Sequence, residues 1–350
     1  MSSGAFVSWF ADIALGDRPT VGGKGASLGE LTRAGIAVPP GFVLRTDAFE
    51  SFMLALDPAM QMRRAVEALD PEDVSAVANC TGEIRDRMNA SRLPDDVRNE
   101  ILAAHVKLCA GVSEHPVAVR SSATTEDAED ASFAGLQNTC LWVIGGEQVL
   151  QSVRSCWASL YSVESVCYRR KHGYPEAGVA MGVVVQHMVD ARTAGVLFTR
   201  SPTTGDRSVV TVEGAWGLGS SVVSGEVTPD RWVVGKITGE ISARDISDKQ
   251  AQHLPRPGGG VEDVPVPDAL RAAPCLSDAE LLSLRDLAVR VERHYRRPQD
   301  VEWAIARQNE NIFLLQSRPE TVWSAREAKP VATPADDPVK HVMNIFGGRR

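Results

Sequence analysis

With 350 residues, 43% of them hydrophobic and 23% charged, the chain can bury a core split over two domains, and its charge content is that of a globular protein. A formal net charge of −8 argues against a general binder of nucleic acid or anionic membranes, yet leaves room for a local basic pocket that takes a phosphorylated ligand. No apolar run reaches membrane-spanning length, and the opening MSSGAFVSWFADIALGD lacks a basic n-region, so the expected location is the cytoplasm.

The elements follow in chain order. VGGKGASLGELTRAGIAVPPGF reads as a Gly-rich loop, a short helix with Leu28 and Leu31 on one face, and a Pro-Pro-Gly turn. Helical periodicity covers roughly 46–56, 71–90 and 94–109. PVAVRSSATTEDAEDASFAGLQNTCLWVI is strand, long polar loop, strand, and a loop that long is usually functional or disordered. One long amphipathic helix is expected over 146–171, followed from Val179 by β-rich segments. HLPRPGGGVEDVPVPD reads as a loop or flap. SDAELLSLRDLAVRVERHYRRP is a helix opened by a Ser277–Glu280 capping box, with Leu281, Leu284, Ala288 and Val291 on one face. The expected division is an N-terminal subdomain over 1–180, a C-terminal one over 181–324 and a polar tail over 325–350. Six scattered cysteines with no CxxC pair are expected to be buried free thiols, and seven dispersed histidines show no HxxxH or HExxH spacing for zinc.

The segment DVEWAIARQNENIFLLQSRPET has the pattern of a β-hairpin. If Glu302 pairs with Gln316, then Asp300 faces Arg318, Trp303 faces Leu315, Ile305 faces Phe313, and residues 307–311 form the loop. Val301, Trp303, Ile305, Phe313 and Leu315 then make a core face, because side chains alternate. The other face gathers Asp300, Glu302, Gln316 and Arg318 at one end. Such a patch is either a cross-strand Asp–Arg pair with Glu302 solvated or a hard-cation site: carboxylate and amide oxygens suit Mg²⁺, and an arginine suits its phosphate.

Three more places could meet an anion or its base. Lys24 lies at a Gly-rich turn before a helix N-terminus, although the Walker A spacing is absent, and a loop-and-cap role is the bland alternative. Arg120 ends a strand just before the long polar loop, where Glu126 or Asp127 could pair with it. ASFAG (131–135) suits a loop that closes over a ligand. In VVVQHMVDA a strand ends at Gln186, which could equally be a strand edge. EGAWGLGSSVVSGEVTPD lacks GxGxxG, so a dinucleotide-binding Rossmann site is disfavoured.

Taken together and in this order, VGGKGASLGEL, VPPGF, VAVRSSATTEDAEDASFAGLQNT, GVLFTRSPTTGD, WGLGSSVVSGEVTPD, DVEWAI and LLQSRPET resemble the N-terminal nucleotide-binding domain of the phosphoenolpyruvate synthase, pyruvate phosphate dikinase and rifampin phosphotransferase family. The resemblance covers 21–321. It implies an α+β, ATP-grasp-type fold in which two subdomains hold ATP and Mg²⁺ in the cleft between them. Matched position by position, Lys24 and Arg120 correspond to phosphate-contacting residues, and Arg318 to the arginine at the transferring phosphates. Thr139 corresponds to a threonine beside the nucleotide. Gln186, Met188 and Val189 correspond to the segment lining the adenine pocket, with His187 in its variable place. Glu302 and Gln316 correspond to the Mg²⁺ ligands and Asp300 to a neighbouring acid.

The sequence departs from the family at Ser220, where WGLG is commonly followed by Glu. It also lacks the family's swivelling-domain pattern Thr-x-x-Gly-Gly-x-x-x-His-Ala around any of its histidines, and a C-terminal barrel for pyruvate or phosphoenolpyruvate. The chain is therefore the front of a longer protein or one subunit of a split system resembling phenylphosphate synthase, and the Met1 start with a polar tail leads us to expect the latter. The resemblance implies a dikinase component that cleaves ATP to AMP and phosphate and passes the β-phosphate to a histidine on a partner domain or subunit. That partner hands it to pyruvate, a phenol or another hydroxyl. Closure of the loop 121–135 would exclude water. The alternatives are a self-contained ATP-grasp kinase or ligase that makes ADP and a non-catalytic nucleotide-sensing subunit.

Overall fold

The computed structural model describes residues 6–110, 115–124 and 138–327. Two antiparallel sheets, each with its own helices, face one another across a cleft. The first contains β1 (Val7–Trp9), β2 (Gly41–Leu44), β3 (Val117–Ala123), β4 (Thr139–Val143) and β5 (Met181–His187), in the order β1-β2-β5-β3-β4. Its helices are α1 (Arg18–Arg33), α2 (Thr46–Leu56), α3 (Gln61–Glu67), α4 (Val74–Ala90), α5 (Asp95–Leu108), α6 (Gly146–Ala158) and α7 (Val163–Lys171). Phe49, Phe52, Trp157 and Tyr161 centre the core between this sheet and helices. The Trp157 ring stacks on Phe52 at 5.3 Å and meets Phe49 edge-on.

The second sheet has six strands: β6 (Ala191–Phe198), β7 (Val209–Trp216), β8 (Asp230–Gly235), β9 (Ile241–Asp245), β12 (Gln299–Ala306) and β13 (Ile312–Pro319), ordered β13-β12-β6-β7-β8-β9. Between β9 and β12 come a separate hairpin of β10 (Ala251–Pro255) and β11 (Val261–Pro265), the short α9 (Asp268–Arg271) and the long α10 (Asp278–Tyr295). A turn of helix, α8 (Ser220–Val223), follows β7, and α11 (Val322–Glu327) follows β13. The expected capping box opens α10: Ser277 Oγ accepts from the Glu280 N–H while Glu280 accepts from the Ser277 N–H. Leu281, Leu284, Ala288 and Val291 of α10 bury themselves against Trp232, Trp303 and Val301 of the sheet.

Helix α1 joins the halves. Val21, Ala26 and Leu28 pack with Val43 and Val184 of the first sheet, whereas Leu31 enters the core of the second. Ser27 Oγ donates to the Ser317 carbonyl of β13 at 2.6 Å.

Several expectations change. The division between sheets falls between His187 and Ala191, not at 180/181, because β5 pairs with β2 and β3 of the first sheet. The single helix expected over 146–171 is two. A tight turn at Ser159–Tyr161 buries Leu160 and Tyr161, and Ser162 Oγ then caps α7 by accepting from the Ser165 N–H. The expected flap is a regular hairpin, closed by Gly258, Gly259 and Gly260, all at positive φ. Arg120 sits within β3, which runs on to Ala123 and is buried along its whole length. Helix α3 had no expected counterpart. The expected closing loop lies outside the described residues from 125 onward, as does the tail from 328.

Candidate active site

The hairpin β12–β13 supplies one wall of the cleft. Asp300 pairs with Arg318 and Glu302 with Gln316, as the sequence predicts. Beyond Glu302 the register shifts by one residue: Trp303 faces Leu314, Ala304 faces Phe313 and Ile305 faces Ile312. This bulge overturns the expected Trp303–Leu315 and Ile305–Phe313 pairs. Alternation alone cannot separate Leu314 from Leu315, since both are apolar; packing puts Leu314 in the core and turns Leu315 to the cleft. The Leu315 carbonyl accepts from Arg120 Nη1 at 3.0 Å.

That contact is part of a junction between the two sheets. Arg120 Nη2 donates to Gln316 Oε1 at 2.5 Å and to Glu302 Oε2 at 3.1 Å. Two oxygens from neighbouring strands thus converge on one cationic nitrogen, which is the donor set a hard divalent cation takes. Glu302 is paired here rather than solvated. Asp300 lies behind it, its Oδ2 3.4 Å from Arg318 Nε, its Oδ1 buried without a hydrogen-bond partner. Burial pushes the Asp300 carboxyl up to about 6, against the pull of Arg318.

The opposite wall comes from the first sheet and α1. Gly22, at φ 73°, breaks the helical run of α1 and lets the backbone pass against β3; a Cβ there would lie 2.0 Å from the Ser122 carbonyl oxygen. The Gly25 N–H donates to Ser122 Oγ, and Ser122 Oγ donates to the Val21 carbonyl. This clasp delivers Lys24, nearly buried, to the cleft. The end of β5 forms the floor. Gln186 Nε2 donates to the Pro39 carbonyl, the His187 N–H to Pro40 and the Met188 N–H to Pro116, so the Pro-Pro-Gly turn is a strut for this segment. The His187 ring stacks on His115 at 4.0 Å, and burial holds its pKa below the ordinary imidazole value.

One cavity of about 470 Å³ is lined by Lys24, Arg120, Thr139, Gln186, Met188, Val189, Glu302, Gln316 and Arg318, together with His187. Asp300 is the one predicted site residue outside this lining. It lines an adjoining cavity of about 480 Å³, which shares Glu302, Gln316 and Arg318 with the first and adds Glu213. Burial raises the Glu213 carboxyl. The sequence reading missed the apolar lining from Ala118, Leu141, Leu218 and Val223, whose small or aliphatic side chains look like ordinary core. It also missed the Leu315 carbonyl, which only the bulge exposes. A slot between aliphatic side chains that also presents Lys24, Arg120 and Arg318 beside the Glu302 carboxylate and the Gln316 amide can take a flat heterocycle carrying phosphates.

The family model described as pyruvate phosphate dikinase, AMP/ATP-binding domain, matches residues 18–337. A probable phosphoenolpyruvate synthase of Methanothermobacter thermautotrophicus is 41% identical over 318 residues, which cover 90% of this chain and 46% of that protein. A rifampicin phosphotransferase of a Streptomyces species is 39% identical over 320 residues, 91% of this chain and 36% of its own. The chain thus spans less than half the length of these relatives. Among solved structures, D-alanyl-alanine synthetase A of Vibrio cholerae aligns over 84% of this chain and 56% of its own at 10% identity, with a TM-score of 0.27. With a matching family model over nearly its whole described length, the chain belongs to the pyruvate phosphate dikinase AMP/ATP-binding domain family.

Proposed function

We propose that the cleft binds ATP with Mg²⁺ and serves as the nucleotide half of a dikinase, whose phosphate acceptor is a histidine on a partner domain or subunit. The observation that carries this reading is the meeting of Lys24, Arg120 and Arg318 with Glu302 and Gln316 on one cavity, cations from three elements beside paired oxygen donors. The adenine lies against Gln186, Met188 and Val189, with Thr139 beside the nucleotide. Glu302 and Gln316 are the residues that would hold Mg²⁺, and Asp300 supports them from behind. The fit rests on the donor set: both side-chain oxygens already converge on a cation, the Arg120 guanidinium. Bound there, Mg²⁺ would neutralise phosphate charge as it builds during transfer.

The chain's own residues do the rest. Lys24, Arg120 and Arg318 orient the triphosphate and offset its charge in the transition state. As phosphate arrives, Arg120 exchanges Glu302 and Gln316 for phosphate oxygens and leaves those two side chains to the metal. Arg318 likewise turns from Asp300 to phosphate. The histidine nitrogen of the partner bonds to the β-phosphorus as the bond to the AMP oxygen breaks, and the γ-phosphoryl group is released as phosphate on hydrolysis. Final transfer to pyruvate, a phenol or another hydroxyl belongs to the partner.

The test uses ATP labelled separately at the β and γ positions, with this chain and a histidine-bearing domain of a relative. Label should reach the partner from the β position, with AMP as the nucleotide product. Label arriving from γ, with ADP formed, overturns the dikinase reading, and ADP formed with no label on the partner favours a self-contained kinase or ligase.

A further inference from the structure

Away from the catalytic residues, three side chains converge on the surface beside the cleft. His253 Nε2 lies 2.8 Å from Glu226 Oε2 and 2.7 Å from Asp263 Oδ1. The three ligand atoms all fall within 4.8 Å of one another. His253 and Asp263 are directly opposed partners on β10 and β11, and Glu226 comes from the turn after α8. The ring is held in place: its Nδ1 is hydrogen-bonded to Ser220 Oγ at 2.6 Å, and its side chain is only 12% exposed. The two carboxylates reach it from the solvent side, 57% and 74% exposed.

One ring nitrogen with two carboxylates on it has too many acceptors. A single N–H on Nε2 cannot point at both oxygens, so one of the two exposed carboxylates is left to water. A divalent cation resolves this, since all three atoms can donate lone pairs to it. A tetrahedral site with bonds of about 2.0–2.2 Å sets its ligand atoms roughly 3.3 Å apart. The observed 2.7 and 2.8 Å need only a small outward move of two exposed carboxylates. Ser220 then plays the part that outer hydrogen bonds play at metal sites, accepting the Nδ1 proton and turning Nε2 to the ion.

We propose that Glu226, His253 and Asp263 form a site for a divalent transition-metal ion of the zinc class, with water in the remaining position. One imidazole and two carboxylates suit Zn²⁺ better than Mg²⁺, which avoids nitrogen. The site pins the β10–β11 hairpin to the loop after β7. At its tip this hairpin touches the other subdomain, where the Gly260 N–H donates to the Trp142 carbonyl. Midway along it the His253 carbonyl accepts from the N–H of Leu218, and Leu218, Gly219, Ser220 and Ser224 line the cleft. The ion therefore fixes the strap that crosses one end of the cleft to the loop that borders it.

The test uses the full chain without nucleotide, in excess Mg²⁺ so that hard-oxygen sites are occupied, titrated with Co²⁺ as a visible probe and then with Zn²⁺. One equivalent of Co²⁺ should bind with the d–d absorption of a low-coordinate nitrogen–oxygen site, without a thiolate charge-transfer band, and be displaced by Zn²⁺. Affinity should fall about 100-fold in His253→Gln and at least tenfold in Ser220→Ala, the range seen when an outer-shell partner is removed. Asp263→Asn, at an exposed position that does not threaten the fold, should weaken binding at least tenfold. The proposal is overturned by wild-type protein that binds no stoichiometric Co²⁺, by a thiolate band, or by His253→Gln or Asp263→Asn that binds as the parent does.

Discussion

The buried ion pairs behind the sheets and the ion pairs in the cleft use the same side chains to opposite ends. Behind the first sheet, Arg169 grips Glu176 through Nε at 3.0 Å and Nη2 at 3.1 Å, and its Nη1 donates to the Leu160 carbonyl and Ser165 Oγ. At the start of β8 in the second, Asp230 accepts from Lys249 Nζ, from the Ser247 N–H and, through its other oxygen, from the Cys275 N–H. Lys249 and Asp230 are both wholly buried, and both oxygens of Asp230 have partners. In the cleft, by contrast, Asp300 has an orphaned oxygen and a long contact to an arginine that is 47% exposed, while Arg120 divides itself among three acceptors on the opposite sheet. A saturated buried pair has nothing left to offer a ligand. An unsaturated one at a cavity does, which is why perturbed and under-partnered groups mark sites.

The sharpest test of this contrast is Arg120→Met. On the proposed role of Arg120 at the phosphates, its loss should cost on the order of 10³-fold or more in the β-phosphoryl labelling assay, the range for a transition-state arginine. Its unfolding free energy should change by only about 1 kcal/mol, because Glu302 and Gln316 face a cavity where water can replace the guanidinium. A variant that unfolds easily and transfers normally would reverse the assignment. Lys249→Met should do the opposite. It strands Asp230 as an uncompensated buried charge and should cost about 3–5 kcal/mol in urea unfolding, with ATP affinity of the folded fraction unchanged.

Asp300 gives the comparison a pH axis. Its carboxyl is raised from 3.8 to about 6 by burial. An acid raised in this way binds more protons folded than unfolded between those two values, so stability falls as pH rises from about 4 to about 6 and stays lower above. The shift corresponds to at most about 3 kcal/mol. Asp300→Asn should therefore be more stable than the parent by about 1–3 kcal/mol at pH 7, with the gap closing towards pH 4. A stability difference that does not vary across this range would show that Asp300 is as satisfied as Asp230.

The parts of this site that were legible in the sequence are those fixed by strand parity and by motif. Asp300, Glu302, Gln316 and Arg318 share one end of a hairpin because a slip would bury a charge or expose Trp303, so their pairing followed from alternation. The bulge did not: with Leu314 and Leu315 adjacent, either could face the core, and only packing against the rest of the sheet chooses. The partner of Arg120 was equally out of reach. Its nearest acids in sequence are Glu126 and Asp127, whereas the groups it meets lie on the other sheet, brought there by tertiary assembly. The break between α6 and α7 was hidden because the apolar pattern runs on through Leu160 and Tyr161, and a 3₁₀ turn buries them as readily as a helix would.

The smallest expected effect concerns how the first subdomain delivers its lysine. Gly22→Ala must adopt a positive φ, at a cost of about 1–2 kcal/mol, and places a methyl group against a backbone oxygen rather than a movable side chain. Relief requires the Val21–Gly25 clasp to lift from Ser122, and Lys24 moves with it while Arg120, within β3, stays. A loss of about tenfold in ATP affinity is expected, corresponding to about 1.4 kcal/mol, with Mg²⁺-dependent contacts to the second sheet intact. Equilibrium binding of a fluorescent ATP analogue measures the change. The diagnostic comparison is AMP, which keeps the proposed adenine contacts but lacks the β- and γ-phosphates proposed for Lys24. Its affinity should change far less than that of ATP, and an equal loss for both would mean that Gly22 shapes the whole cleft and not the lysine alone.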